Sequence, residues 1–165
     1  MSGTADSVID LRAATLNYEI GGAGFVSYSA NTLGGFTIAN GVVIENAKGA
    51  AGSDVIIGNS SANMLYGGAG AGVKDILTGN GGADIFVCSL SDAAIDISVA
   101  DIISDFTDGT DFIGLEDRSF SDLSWSNISG GTQIVDNDSN NILFWLEGVE
   151  YSAIDSSDFL VTDII

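Results

Sequence analysis

Histidine is absent from this chain of 165 residues, and that removes several chemistries at once. Without imidazole there is no H-E-x-x-H zinc site, no Ser-His-Asp triad and no Cys-His pair. Cysteine occurs once, at Cys88, so no internal disulfide can form, and its place just after an apolar segment reads as a small buried hydrophobe. Basic residues are scarce, 4 against 23 acids, for a net charge of -19. That imbalance argues against nucleic acid and an anionic membrane surface as partners. No apolar run approaches the roughly 18 residues of a spanning helix, and no basic segment followed by an apolar stretch marks a cleaved N-terminal signal. A catalytic pair of carboxylates would need two acids facing each other across a pocket, whereas the acids here are spread along turns.

What the chain does have is a nine-residue repeat between Glu45 and Val87. Its units begin at Gly49, Gly58, Gly67 and Gly79, and the third carries three extra residues before Lys74. Each follows the pattern G-G-x-G-x-D-x-U-x, with U a large apolar residue, which marks a calcium-binding parallel β-helix or β-roll. Six residues form a turn that needs glycine for tight bends and oxygen for a hard cation. The next three form a strand whose middle side chain, Ile56, Leu65, Leu77 or Phe86, points inward. Because every unit reverses the chain, the acids divide into two columns, Glu45, Asn63 and Asp84 on one side and Asp54 with Asp75 on the other. A linker would lack the regular apolar position. A metal-free solenoid with its acids facing solvent stays open as an alternative, although it stacks like charges.

These repeats, with the run from Val43 to Asn59, resemble the RTX family and in particular the C-terminal domain of serralysin-type secreted metalloproteases. The resemblance implies an all-β fold: a parallel β-roll of calcium-binding repeats over residues 45–87, capped by N-terminal strands over 1–44 and by a C-terminal antiparallel β-sandwich over 88–165, as one domain. It implies that Asp54, Asp75 and Asp84 ligate Ca²⁺, that Glu45 completes the first site, and that Gly49, Gly52, Gly58, Gly67, Gly70 and Gly79 lend carbonyls, for about two to four ions. Asn63 stands where the family has Asp, and the insertion sets Lys74 beside Asp75, so those turns are expected to bind more weakly. The segment from Asp101 to Leu115 is similar to the stretch that follows the family's roll. Asp101 and Asp105 are candidates there for a further site, with a solvated acidic loop as the alternative.

Elsewhere the pattern predicts strands near 8–11 and 36–39, and again at 123–128, 132–135 and 142–146, with Trp125 and Trp145 in or beside the core. The apolar tail, Asp158 to Val161 and Asp163 to Ile165, resembles the uncleaved signal read by type I secretion, and it also reads as a last strand. The expected function is a non-catalytic, extracellular calcium module that folds on Ca²⁺ and supports secretion of a parent protein. A calcium-dependent module that binds polysaccharide or a cell surface is the alternative.

Overall fold

Short strands separated by glycine-bearing turns leave one inward side chain per unit to carry the core, and the observed architecture is built on that. The structure, a computed structural model, describes residues 5–70, 72–116 and 118–162. Its strands are β1 (Ser7–Asp10), β2 (Tyr28–Ser29), β3 (Asn46–Lys48), β4 (Val55–Ile57), β5 (Met64–Tyr66), β6 (Ile76–Thr78) and β7 (Ile85–Cys88). They continue as β8 (Ile102–Ile103), β9 (Phe112–Leu115), β10 (Leu123–Ile128), β11 (Gly131–Asp136), β12 (Ile142–Glu147) and β13 (Phe159–Val161). Successive repeats alternate between two sheets. One has the order β10-β11-β12-β8-β6-β4-β1-β2 and the other β13-β9-β7-β5-β3.

Within the roll all pairing is parallel. Ile9, Ile56, Leu77, Ile103 and Leu146 stand in one row across the first sheet, and Ala47, Leu65, Phe86, Ile113 and Phe159 in one row across the second. The four U residues, Ile56, Leu65, Leu77 and Phe86, have no exposed surface, as the repeat predicts. Burying each such side chain contributes about 1.5–3 kcal/mol, so these rows are the main source of cohesion.

The antiparallel unit expected at the C-terminal end is present, in a different place. Strands β10, β11 and β12 form a meander in which β12 pairs parallel with β8, so the unit prolongs the roll's own sheet instead of making a separate sandwich against it. Strand β13 joins the other sheet beside β9, the second of the two readings of the tail. The stretch 163–165 lies outside the described residues. Phe120, Trp125 and Phe159 cluster with ring centroids 5.2 to 6.1 Å apart and tie the meander of one sheet to the last strand of the other. Cys88 is buried, and loss of water pushes its thiol up to about 12, so it is an inert core residue.

The N-terminal segment departs most from expectation. Only β1 and the two-residue β2 form strands, and the segment predicted at 36–39 contributes two isolated bridges, Phe36 to Ser27 and Ile38 to Ala13. Its fixed point is Arg12, which donates to both oxygens of Asp10 at 3.0 and 2.6 Å while its guanidinium lies 3.6 Å from the centre of the Phe25 ring. A strand buried on one face would hide Phe36 and Ile38 together, and here Ile38 is buried while Phe36 lies mostly in solvent.

Candidate metal centre

In every coil the residue just before the strand is the one at the repeat's acid position, Asn63 standing there once, so strand register stacks these side chains automatically. The first column runs Asp54, Asp75, Asp101. The Asp54 N–H donates to Asp75 Oδ1 at 2.7 Å and the Asp75 N–H to Asp101 Oδ1 at 2.8 Å. At the near end the Ser7 N–H donates to Asp54 Oδ1 at 2.6 Å. The second column runs Asn63, Asp84, Asp111, with the Asn63 N–H on Asp84 Oδ1 at 2.8 Å and the Asp84 N–H on Asp111 Oδ1 at 3.0 Å. One oxygen of each lower carboxylate therefore closes the coil above it, and the other is turned toward its own glycine loop.

That second oxygen explains the first glycine of the repeat. A Cβ on Gly67 would collide with Asp75 Oδ2 and one on Gly79 with Asp84 Oδ2, and Gly49 and Gly58 stand in the same relation to Asp54 and Asn63. At Asp54 the second oxygen accepts the Ala50 N–H at 2.8 Å. Oδ2 of Asp75 and of Asp84 lies instead directly against the first glycine of its own turn.

The first column collects a further acid. Asp75, Asp92 and Asp101 are all buried, and one carboxylate oxygen from each lies within 4.8 Å of the others. Asp92 comes from the connection after β7, and its Oδ1 accepts the Gly70 N–H at 2.8 Å, so it docks on the turn that carries the three-residue insertion. Burial pushes Asp75 up to about 7, with the neighbouring charges of Asp92 and Asp54 adding to it against the hydrogen bond from the Asp54 N–H. Burial likewise raises Asp84 to about 6, and it raises Asp92 and, most strongly, Asp101, where the Asp92 charge adds to the effect. Carboxylates that resist ionisation because they are dry and adjacent are suited to a hard divalent cation, which takes six to eight oxygens and supplies the charge that they lack. The donor set fits Ca²⁺: it is all oxygen, with no imidazole or free thiolate.

The second column is built differently. The Asn63 Nδ2 amide donates to the carbonyls of Glu45 and Ile44 at 3.2 and 3.3 Å, while its Oδ1 accepts the Asn59 N–H at 2.8 Å. The amide thus fills with its own protons the place in which an aspartate would present an oxygen. Glu45 occupies its expected register, but it reaches the column through this carbonyl, and its side chain is exposed.

Other predicted residues take distinct places. Asp105 accepts the N–H groups of Gly79 and Asn80 at 2.8 and 2.7 Å, closing the last nonapeptide turn with both of its oxygens. Gly52 lies against the backbone of Ala5 and Asp6, away from the carboxylates. The Gly70 carbonyl accepts the Val73 N–H at 2.8 Å. Lys74 points into an outer groove beside Ile97 and Trp145 and makes no ion pair with Asp75. Two residues of the columns were not among the predicted ligands. Asp111 was findable, since it precedes a strand as Asp54 and Asp75 do, whereas Asp92 lies in a stretch with no repeat to announce it.

The family model described as "Peptidase M10 serralysin C terminal" matches residues 5–162. The chain belongs to the serralysin C-terminal family. Within the curated proteins, "Metallopeptidase AprA" of Pseudomonas marginalis is 40% identical over 65 residues, 38% of this chain and 13% of the relative. The match therefore spans about an eighth of that peptidase, and the serralysin C-terminal family is the non-catalytic part of such enzymes. No helix among the described residues is long and apolar enough to cross a membrane.

Proposed function

We propose that this chain is a calcium-binding module that folds when Ca²⁺ is supplied outside the cell, and that it supports type I secretion and stabilisation of a parent secreted protein such as a serralysin-like metalloprotease. The observation that carries the reading is the buried first column, where three carboxylates converge without a cationic side chain among them. Asp75, Asp92 and Asp101 would hold the ion most firmly, with Asp54 beside them and Asp84 with Asp111 in the other column; the bound ion supplies positive charge and nothing more. Asp105 and Glu45 are secondary ligands in this reading, and the turn glycines contribute by letting carboxylates approach the chain.

Extracellular calcium modules bind in the range of about 10⁻⁴ to 10⁻³ M, so such sites are empty in a cytosol and filled outside. The empty chain keeps its charge of -19 and stays expanded; filling several sites tips it into the roll. The tail that ends in β13 would be read during export before it pairs with β9. Circular dichroism and a melting curve across a calcium titration test the reading. The expected result is a β signal and a melting temperature that rise together with Ca²⁺; identical curves in excess chelator and in millimolar calcium would refute it.

A further inference from the structure

We infer that Asn40 is a site of spontaneous deamidation, and that its conversion to an acid releases the turn at 39–42 from the backbone of Ala14. Two asparagines of the chain are followed by glycine, in Asn40–Gly41 and Asn80–Gly81. With no side chain on the second residue, its backbone nitrogen can reach the amide carbon before it. The nitrogen of Gly41 gives up its proton and bonds to Asn40 Cγ, the Cγ–Nδ2 bond breaks, and ammonia leaves. Water then opens the five-membered ring at either carbonyl, giving aspartate or isoaspartate. The sequence alone treats the two pairs alike, and the structure separates them.

At Asn40 the attacking group is free. The Gly41 N–H makes no hydrogen bond among the described residues, and both residues of the pair are exposed. A Cβ placed on Gly41 would meet nothing within 4 Å. The turn itself is closed by the Val42 N–H on the Ala39 carbonyl at 3.1 Å, with Gly41 at a φ of 78°. One bond restrains the asparagine side chain, from Nδ2 to the Ala14 carbonyl at 2.7 Å. Asn80 is held more firmly. The Gly81 N–H donates to the Asn59 carbonyl at 3.2 Å, the Asn80 N–H to Asp105 at 2.7 Å and Asn80 Nδ2 to the Gly58 carbonyl at 2.8 Å. Attack there must open three hydrogen bonds instead of one, which slows it by about tenfold or more.

The bond that restrains Asn40 also gives its modification a consequence. Beside it the Ala14 N–H donates to the Ile38 carbonyl at 2.9 Å, and Ala13 bridges to Ile38. Asn40 thus clamps residues 38–42 onto residues 13–14, along a cavity of about 550 Å³ that Leu11, Ala14 and Val42 border. A carboxylate in its place has no proton to donate and sets an oxygen against the Ala14 carbonyl, so the clamp is lost. Nothing close at hand neutralises the new charge: Arg12, which borders the same cavity, is already engaged with both oxygens of Asp10. The inference is independent of the calcium reading.

Peptide mapping by mass spectrometry tests the chemistry on the full chain, aged for weeks in saturating calcium and mildly alkaline buffer. The peptide that holds Asn40 is expected to gain one dalton and to divide into aspartate and isoaspartate forms, at least tenfold faster than the peptide that holds Asn80. Asn40→Gln, whose longer side chain disfavours the ring, keeps its mass. Hydrogen exchange tests the consequence. Asn40→Asp exchanges its Ala14 amide severalfold faster than the parent. Asn46→Asp, the same change at an exposed position whose side chain makes no hydrogen bond among the described residues, leaves that amide at the parent rate. An Asn40 peptide of unchanged mass, an Asn80 peptide that converts as fast, or an Asn40→Asp chain whose Ala14 amide exchanges as in the parent would each overturn the inference.

Discussion

The two columns of the roll are the same device built with different chemistry. In the column of Asp54, Asp75 and Asp101 the stacked groups are all carboxylates, joined by Asp92 from outside the repeat. In the column of Asn63, Asp84 and Asp111 the first member is an amide that satisfies itself on the carbonyls of Glu45 and Ile44. The aspartates of both columns use Oδ1 to close the neighbouring coil, whereas Asn63 reaches its neighbour by donating from Nδ2 and keeps its oxygen on its own turn. What differs is the unneutralised charge left inside, and the proposed dependence on calcium therefore belongs mainly to the first column.

The largest effect expected is that of calcium removal. Each filled site adds about 2.7 kcal/mol at a hundredfold excess of ligand, comparable for a few sites to the roughly 5–15 kcal/mol that stabilises a domain. Excess chelator should therefore unfold the chain or lower its melting temperature by tens of degrees, as a calorimetric scan would show. Next comes Gly67→Ala. The new Cβ meets the Asp75 carboxylate, and overpacking of this kind costs about 1–3 kcal/mol. Urea denaturation in saturating calcium should register that loss, while Gly72→Ala, where the added atom meets nothing but the positive φ of 83° is strained, should cost less.

Exchanging the chemistry of the columns gives a smaller effect that sharpens the contrast. Asp101→Asn should weaken calcium binding by isothermal titration about tenfold, or about 1.4 kcal/mol, while making the calcium-free fold more stable. Asn63→Asp should do the reverse on both counts. If both substitutions moved affinity in the same direction, the distinction between the columns would fail.

A further effect is that of pH on the calcium-free chain. Asp75 and Asp84 have folded-state values raised to about 7 and about 6 by burial, above the ordinary carboxylate range. The folded state then holds protons that the unfolded chain has released, so the contribution of these two groups to stability is greatest below about pH 4 and falls as pH rises toward 6 and 7. Melting temperatures in chelator should decline across that window. With calcium the decline should vanish or reverse, because the ion takes the place of the protons and binding strengthens with pH.

Much of the roll was legible in the sequence because its register is set by a strict period. Once Ile56, Leu65, Leu77 and Phe86 are known to face inward, the residue two places before each must precede a strand, and Asp54, Asn63, Asp75 and Asp84 fall into columns without further information. The same rule extended past the repeats places Asp101 before Ile102 and Asp111 before Phe112. Asp92 could not be found this way, since its position depends on how an aperiodic connection folds back onto Gly70. The meander's three strands were visible from alternation, but their attachment to β8 was not, because alternation specifies which face is buried and says nothing about which edge is free to pair. Residues 12–44 were read least well: their apolar side chains suggest strands, and most of them lie in solvent instead.

The cluster of Phe120, Trp125 and Phe159 has a consequence for the order of assembly. Phe159 belongs to β13, the last strand among the described residues, and it is the piece that covers Trp125 and Phe120 from the opposite sheet. A polypeptide emerging with its N-terminal end first could wind its coils yet would lack the latch until β13 arrived, so the finished shape is withheld from any intermediate whose β13 is still engaged elsewhere.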